Sequence, residues 1–321
     1  MTLDARTQLI VAEMSAHFPD LGGAVTDAPT ARAMLAAAPR PPAPEVPLRR
    51  VNDVELPVPG APPAPARIYW PDHDGPLPGI VFFHGGGFVV SSVEGHDAFA
   101  RKLAAGAGAV VVSVDYRLAP EHRFPAAVND AVAATSWVFD HAASLGIDPA
   151  RIAVAGDSAG GNLAAVACLR ARDHGGPPLT AQLLIYPVLD ARRDSASYRR
   201  NATGYFLTAA HMTWFWDQYL DGADPDDPDV SPLCAPNLTG LPPAIIVVAE
   251  HDPLRDDGRT YAELLSGTGN DVRLLDYPGM FHGFFGLVDQ LPAARQANDQ
   301  VFAALQEIWT AKPSDTHGNR S

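Results

Sequence analysis

Short apolar runs recur along the chain at 79–83, 109–114, 152–155, 181–186, 244–249 and 272–276, with stretches of helical spacing between them. Runs that are apolar throughout, rather than alternating, belong to strands buried on both faces. With helices between them they predict a mostly parallel sheet covered on each side. Two earlier segments, 51–58 and 66–70, do alternate and read as an antiparallel pair at the sheet edge, bringing the total to about eight strands. In a sheet of this kind the ligand crevice lies at the carboxyl ends of the strands. Ahead of the strands, 7–14 and 30–38 carry apolar residues at helical spacing, followed by a proline-rich link at 39–47. The segment 190–229 breaks the alternation: it is polar, rich in Asp, and contains Trp214-Phe215-Trp216. It is too long for an ordinary loop and reads as an inserted lid or cap. The division expected is N-terminal helices at 1–45, a main α/β domain at 46–312 interrupted by the insertion, and a small polar tail at 313–321 that is disordered.

Composition narrows the class. A chain of 321 residues that is 47% hydrophobic can bury the core of one large α/β domain. A net charge of −14 weighs against nucleic acid and against anionic membrane surfaces, and suits neutral or weakly polar small molecules. Cys168 and Cys234 form no paired motif and read as inert, reduced thiols. The N-terminus lacks the pattern of a signal peptide and no run approaches a membrane span, so a cytoplasmic location without stable membrane association is expected.

The chemistry centres on Gly156-Asp157-Ser158-Ala159-Gly160, which follows the run 152–155 and precedes a helical stretch at 162–170. The string alone arises by chance in roughly one such chain in ten. Strand before and helix after make it the tight turn that presents a nucleophilic serine. A serine hydroxyl needs a base to take its proton, and the base needs a carboxylate to hold it. Of the 11 histidines, His282 lies just past the last predicted strand. His122 and His141 lie early in the sheet, and His251 is adjacent to the aspartate it would have to face. Asp252 is the first aspartate after the run 244–249, with Asp256 and Asp257 as alternatives. The order Ser158, Asp252, His282 is the one found in α/β-hydrolases. His84-Gly85-Gly86-Gly87-Phe88 ends another strand, and its glycines with the N–H of Ala159 supply an oxyanion hole. Within that set Gly86, Gly87 and Ala159 are the expected donors and Gly85 shapes the loop. With a histidine as base, the rate is expected to fall below about pH 6.5.

On these blocks the chain resembles the hormone-sensitive-lipase family of α/β-hydrolases, the group IV esterases, over about residues 78–309. The block Asp115-Tyr-Arg-Leu-Ala-Pro-Glu-His122, with Phe124-Pro-Ala-Ala127, matches as well. The resemblance implies that this block braces the loop under the oxyanion hole. It also implies a cap built from the N-terminal helices and the insertion, and a serine carboxylesterase acting on short- to medium-chain esters through an acyl-enzyme. No cofactor or metal is called for, and a homodimer is plausible on family grounds. Phe88, Tyr186, Leu207, Trp214, Phe215 and Phe284 are candidates to line the pocket. Adjacent side chains on one helix diverge, so at most one or two of Trp214, Phe215 and Trp216 can face it. Amide hydrolysis, deacetylation of a small metabolite, acyl transfer and ligand binding without catalysis are the competing readings.

Overall fold

The structure, a computed structural model, describes residues 3–38 and 46–311. Most of the proline-rich link at 39–47, and the whole tail at 313–321, lie outside the described residues. Eight strands form a single sheet: β1 (Arg50–Leu56), β2 (Ala64–Trp70), β3 (Leu77–Phe83), β4 (Val110–Val114), β5 (Ile147–Asp157), β6 (Ala181–Ile185), β7 (Ala244–His251) and β8 (Val272–Phe281). Their spatial order is β1-β2-β4-β3-β5-β6-β7-β8. β2 runs antiparallel to both β1 and β4, and the other pairs are parallel. The expected apolar runs form the centres of these strands. β5 starts earlier, through the partly exposed residues 148–151, a polar extension that no apolar run marks.

Alternate residues of each strand feed two cores. Val81, Phe83, Val112 and Val154 face one side of the sheet, and Ile80, Phe82, Val111 and Ala153 the other. Among the described residues the α-helices are α1 (Ala5–His17), α2 (Ala28–Ala37), α3 (Asp97–Ala107), α4 (Ala126–Asp140), α5 (Ala142–Leu145), α6 (Ala159–His174), α7 (Ala196–Arg200), α8 (Ala209–Leu220), α9 (Arg255–Gly267) and α10 (Pro292–Thr310). Val128 of α4, Leu163 of α6 and Leu265 of α9 bury into the first core, and Leu103 of α3 and Val301 of α10 into the second. Among the described residues, no helix is long and apolar enough to cross a membrane.

Of the remaining helices, α5 leads into the start of β5, while α1, α2, α7 and α8 sit over loops at the carboxyl ends of the strands. α8 starts on Thr208, whose side chain accepts from His211 N–H, and buries Met212, Phe215, Trp216 and Tyr219 at helical spacing. It meets the N-terminal segment through Trp214 Nε1, which donates to the Thr26 carbonyl at 3.1 Å. Phe18 and Phe206 pack edge to face, with centroids 5.0 Å apart. α7 is tied to the loop after β7: Ser197 Oγ donates to the Pro253 carbonyl at 2.6 Å. Arg32 of α2 reaches the loops after β3 and β4, donating to the carbonyls of Val89 and Ala119 at 2.7 Å each and pairing with Glu121.

Candidate active site

β5 stops at Asp157 and α6 begins at Ala159, leaving Ser158 alone at the turn with φ 55° and ψ −115°. Non-glycine residues rarely hold such a conformation, and it persists only where the surroundings enforce it. They do so by close approach: a Cβ on Gly160 would lie 1.8 Å from the Phe83 carbonyl oxygen. Glycine there lets the start of α6 press against the end of β3.

β7 and β8 stay paired past an irregularity to the couple His251 and Phe281. Asp252 and His282 are therefore delivered side by side, each directly after a paired residue. His282 Nδ1 lies 2.7 Å from Asp252 Oδ2 and its Nε2 3.1 Å from Ser158 Oγ. The ionised carboxylate can only accept, so Nδ1 carries the proton and the Nε2 lone pair faces the hydroxyl. Asp252 is fully buried, and its other oxygen accepts the Leu254 N–H at 2.9 Å. Asn201 Nδ2 donates to the Asp252 and Glu250 carbonyls at 2.9 and 3.1 Å, clamping this loop from the end of α7. The alternatives sit elsewhere. Asp256 accepts the Ser197 N–H at 2.7 Å. Asp257 accepts from Leu189 N–H, and burial pushes its carboxyl well above the ordinary range.

After β3, Gly86 has φ +121°, and a Cβ there would lie 2.1 Å from the Val90 carbonyl oxygen. The N–H groups of Gly86, Gly87 and Ala159 have no hydrogen-bond partner among the described residues. The Gly85 N–H donates to Asp157 Oδ1 at 2.8 Å, so within the oxyanion-hole set Gly85 anchors the loop and its N–H is spent. The block after β4 braces the same loop. Tyr116 Oη donates to the His84 carbonyl at 2.7 Å, Asp115 accepts the Val93 N–H at 3.0 Å, and Ala119 N–H donates to the Phe88 carbonyl. Arg117 in turn is gripped by Asp130 of α4, which is fully buried.

Asp157 also meets His96, whose Nε2 lies 3.3 Å away, and His96 Nδ1 is 3.0 Å from Ser91 Oγ. Burial raises the Asp157 carboxyl, but His96 and the Gly85 N–H outweigh it and hold the group below its ordinary range. The motif pattern did not single out His96, Ser91, Arg32, Ser197 or Asn201. His96, Arg32, Ser197 and Asn201 each bond to a loop remote in sequence, and Ser91 acts through His96, so nothing local marks them.

A cavity of about 450 Å³ opens over Ser158 and His282. Of the pocket candidates, Tyr186, Leu207 and Phe215 line it. The Tyr186 ring lies 4.5 Å from that of His282, and burial, with the charges of Asp157 and Asp252, keeps its phenol protonated far above its ordinary range. Phe88, Trp214 and Phe284 do not line the cavity. Phe88 stacks on Tyr219 at 4.0 Å, Trp214 binds Thr26, and Phe284 packs against Tyr277. Trp216 also faces away, 5.6 Å from Phe88. Among the described residues, no group of three or more His, Cys, Asp or Glu is placed to hold a metal ion.

Comparison with known proteins places this geometry. A family model described as alpha/beta hydrolase fold matches residues 80–286. The chain belongs to that family, in its hormone-sensitive-lipase-like group. It is 45% identical over 300 residues to the carboxylesterase NlhH of Mycobacterium tuberculosis, covering 92% of this chain and 93% of that one. It is 39% identical over 264 residues to an ethyl acetate hydrolase of Pseudomonas putida, covering 80% and 82%. The solved structure of a hyperthermophilic esterase from Pyrobaculum calidifontis superposes with a TM-score of 0.87 at 41% identity, covering 97% of this α/β-hydrolase and all of that chain.

Proposed function

We propose that this α/β-hydrolase is a serine carboxylesterase that cleaves short- to medium-chain esters. In this reading Ser158 Oγ attacks the ester carbonyl while His282 Nε2 takes its proton. The Gly86, Gly87 and Ala159 N–H groups stabilise the oxyanion. The tetrahedral species collapses as His282 returns the proton to the leaving alcohol. Water, deprotonated by His282, then releases the acid from the acyl-enzyme. Asp252 holds the imidazole in the required tautomer and stabilises its cation.

One observation carries the reading. The hydroxyl, both ring nitrogens and the carboxylate are linked at 3.1 and 2.7 Å beside three unspent N–H donors, and Ser158, His282, Gly86 and Gly87 line one cavity. The carboxylesterase and ethyl acetate hydrolase relatives support the same chemistry. The N-terminal helices and 190–229 act here as a cap, a role supported by Leu35, Leu207 and Phe215 all lining the cavity. The alcohol and acid are small molecules, the protein works in the cytoplasm, and a homodimer is part of the proposal on family grounds alone.

The test uses p-nitrophenyl butyrate. Wild type is expected to give a burst of p-nitrophenol equal to the enzyme concentration, or steady turnover when deacylation is fast. Ser158→Ala should lose about 10⁴-fold or more in kcat, and His282→Asn a similar amount. Full turnover in Ser158→Ala would sink the reading. Release of butyrate rather than a butyrate ester in the presence of added alcohol separates hydrolysis from acyl transfer.

A further inference from the structure

Two aromatic rings of the cap face two cavities at once. Phe18 and Phe206 line the active-site cavity and also a second one, of about 500 Å³, lying between α1 and the loop ahead of α8. The rings touch edge to face at 5.0 Å, so the pair is a partition one side chain thick. Its place relative to the chemistry follows from the neighbouring glycine. A side chain built at Gly283 would meet the Phe206 ring at 3.8 Å, which puts that ring beside His282. Phe215, by contrast, lies over the oxyanion loop: a Cβ on Gly87 would fall 2.2 Å from its ring.

The proton returned by His282 goes to the leaving oxygen, so that oxygen must sit within hydrogen-bond reach of Nε2. The alcohol portion of the ester therefore extends along the His282 and Gly283 side, toward Phe206. We propose that Phe18 and Phe206 form the wall that ends the alcohol half of the site. The cavity beyond is then a second alcohol subsite, reached only when the rings part. Its lining mixes Leu3 and Val11 with Gln8, Ser15 and Asp20, which suits a long alcohol bearing a polar far end. The pair is thus a specificity-determining element for the alcohol, not for the acyl chain. The inference rests on the catalytic reading above.

The experiment crosses two ester series. One holds the acyl group as butyrate and lengthens the alcohol from ethyl to octyl and 8-hydroxyoctyl. The other holds p-nitrophenol and lengthens the acyl chain. Phe206→Ala is expected to raise kcat/KM at least tenfold for octyl and 8-hydroxyoctyl butyrate. Ethyl butyrate should stay within about twofold and the acyl-length cutoff unmoved. Phe18→Ala should reproduce this, and the double variant should add little, since either truncation opens the same wall. Phe206→Leu, which keeps an apolar plug, should behave as wild type. A shifted acyl cutoff, or no relief for long alcohols in folded variants active on ethyl butyrate, overturns the assignment. Wild-type turnover of ethyl butyrate, with Ser158→Ala silent, leaves the catalytic reading standing even when the wall assignment falls.

Discussion

The loops at the strand ends and the cap over them are held by different kinds of bond. Around Ser158, beyond the side-chain links of Ser158, His282 and Asp252 and of His96 with Asp157, the loops are held backbone to backbone or backbone to buried polar group. Ser158 N–H donates to the Ile185 carbonyl, Gly85 N–H to Asp157, and Leu254 N–H to Asp252. The cap is held largely by side chains, among them the Phe18–Phe206 contact, Trp214 on Thr26, and Arg32 on Val89 and Ala119. A site built from main chain keeps its geometry when surface residues change, and a cover built from side chains can be reshaped one residue at a time. Chemistry should therefore respond steeply to changes in the loops, and substrate range to changes in the cap.

The steepest response short of Ser158, His282 and Asp252 should come from Gly86→Ala. The new Cβ would collide with the Val90 carbonyl at a φ of +121°, so the loop must shift and one of the N–H groups proposed to hold the oxyanion is displaced. The expected fall in kcat is between about 100-fold and 1,000-fold, with KM little changed. A loss under tenfold would mean that the loop is not the rigid partner claimed here. Asp157→Asn should be milder, near tenfold in kcat, because the amide oxygen still accepts the Gly85 N–H while its NH₂ forces His96 into the other tautomer. Its stability signature is specific. The Asp157 carboxyl is held below its ordinary value, so its contribution is complete above about pH 3.9 and is lost as pH falls through the lower folded value. The variant should be less stable than wild type at neutral pH, and the gap should close in strong acid. An equal gap at all pH values would contradict the charged Asp157 anchor.

The same contrast explains what the sequence shows and hides. Asp252, His282 and Ser158 are legible because each follows a strand whose apolar run is visible, and a parallel sheet brings those ends together. Phe88, Trp214 and Phe284 are misjudged because membership of the cavity depends on which way a side chain turns. That is settled by tertiary packing: Phe88 lies in the HGGGF block yet turns inward onto Tyr219. The bond that fixes Gly85 in its loop-shaping place is hidden because its partner, Asp157, lies 72 residues away. His96 and Asn201 are invisible for the same reason, being polar residues whose bonds run to distant backbone or carboxylate.

On the cap, Phe215→Ala should leave kcat within about twofold and raise KM for a hexanoate ester roughly fivefold, about 1 kcal/mol of lost apolar contact. A large fall in kcat instead would show that the ring also supports the oxyanion loop it covers.

Trp214→Phe should have the smallest effect. Trp214 is buried and off the cavity, and the indole N–H on the Thr26 carbonyl ties α8 to the N-terminal segment. Phenylalanine keeps most of the apolar contact and removes the donor, leaving that carbonyl without its bond at a cost of about 1 kcal/mol. For a chain of this size the melting temperature should drop by roughly 2 °C, with kcat and KM for p-nitrophenyl butyrate unchanged. Calorimetry beside steady-state kinetics separates the two readouts. A tenfold change in rate from this one lost bond would show that the cap's anchorage is coupled to the serine, and that the division between rigid loops and adjustable cover is drawn in the wrong place.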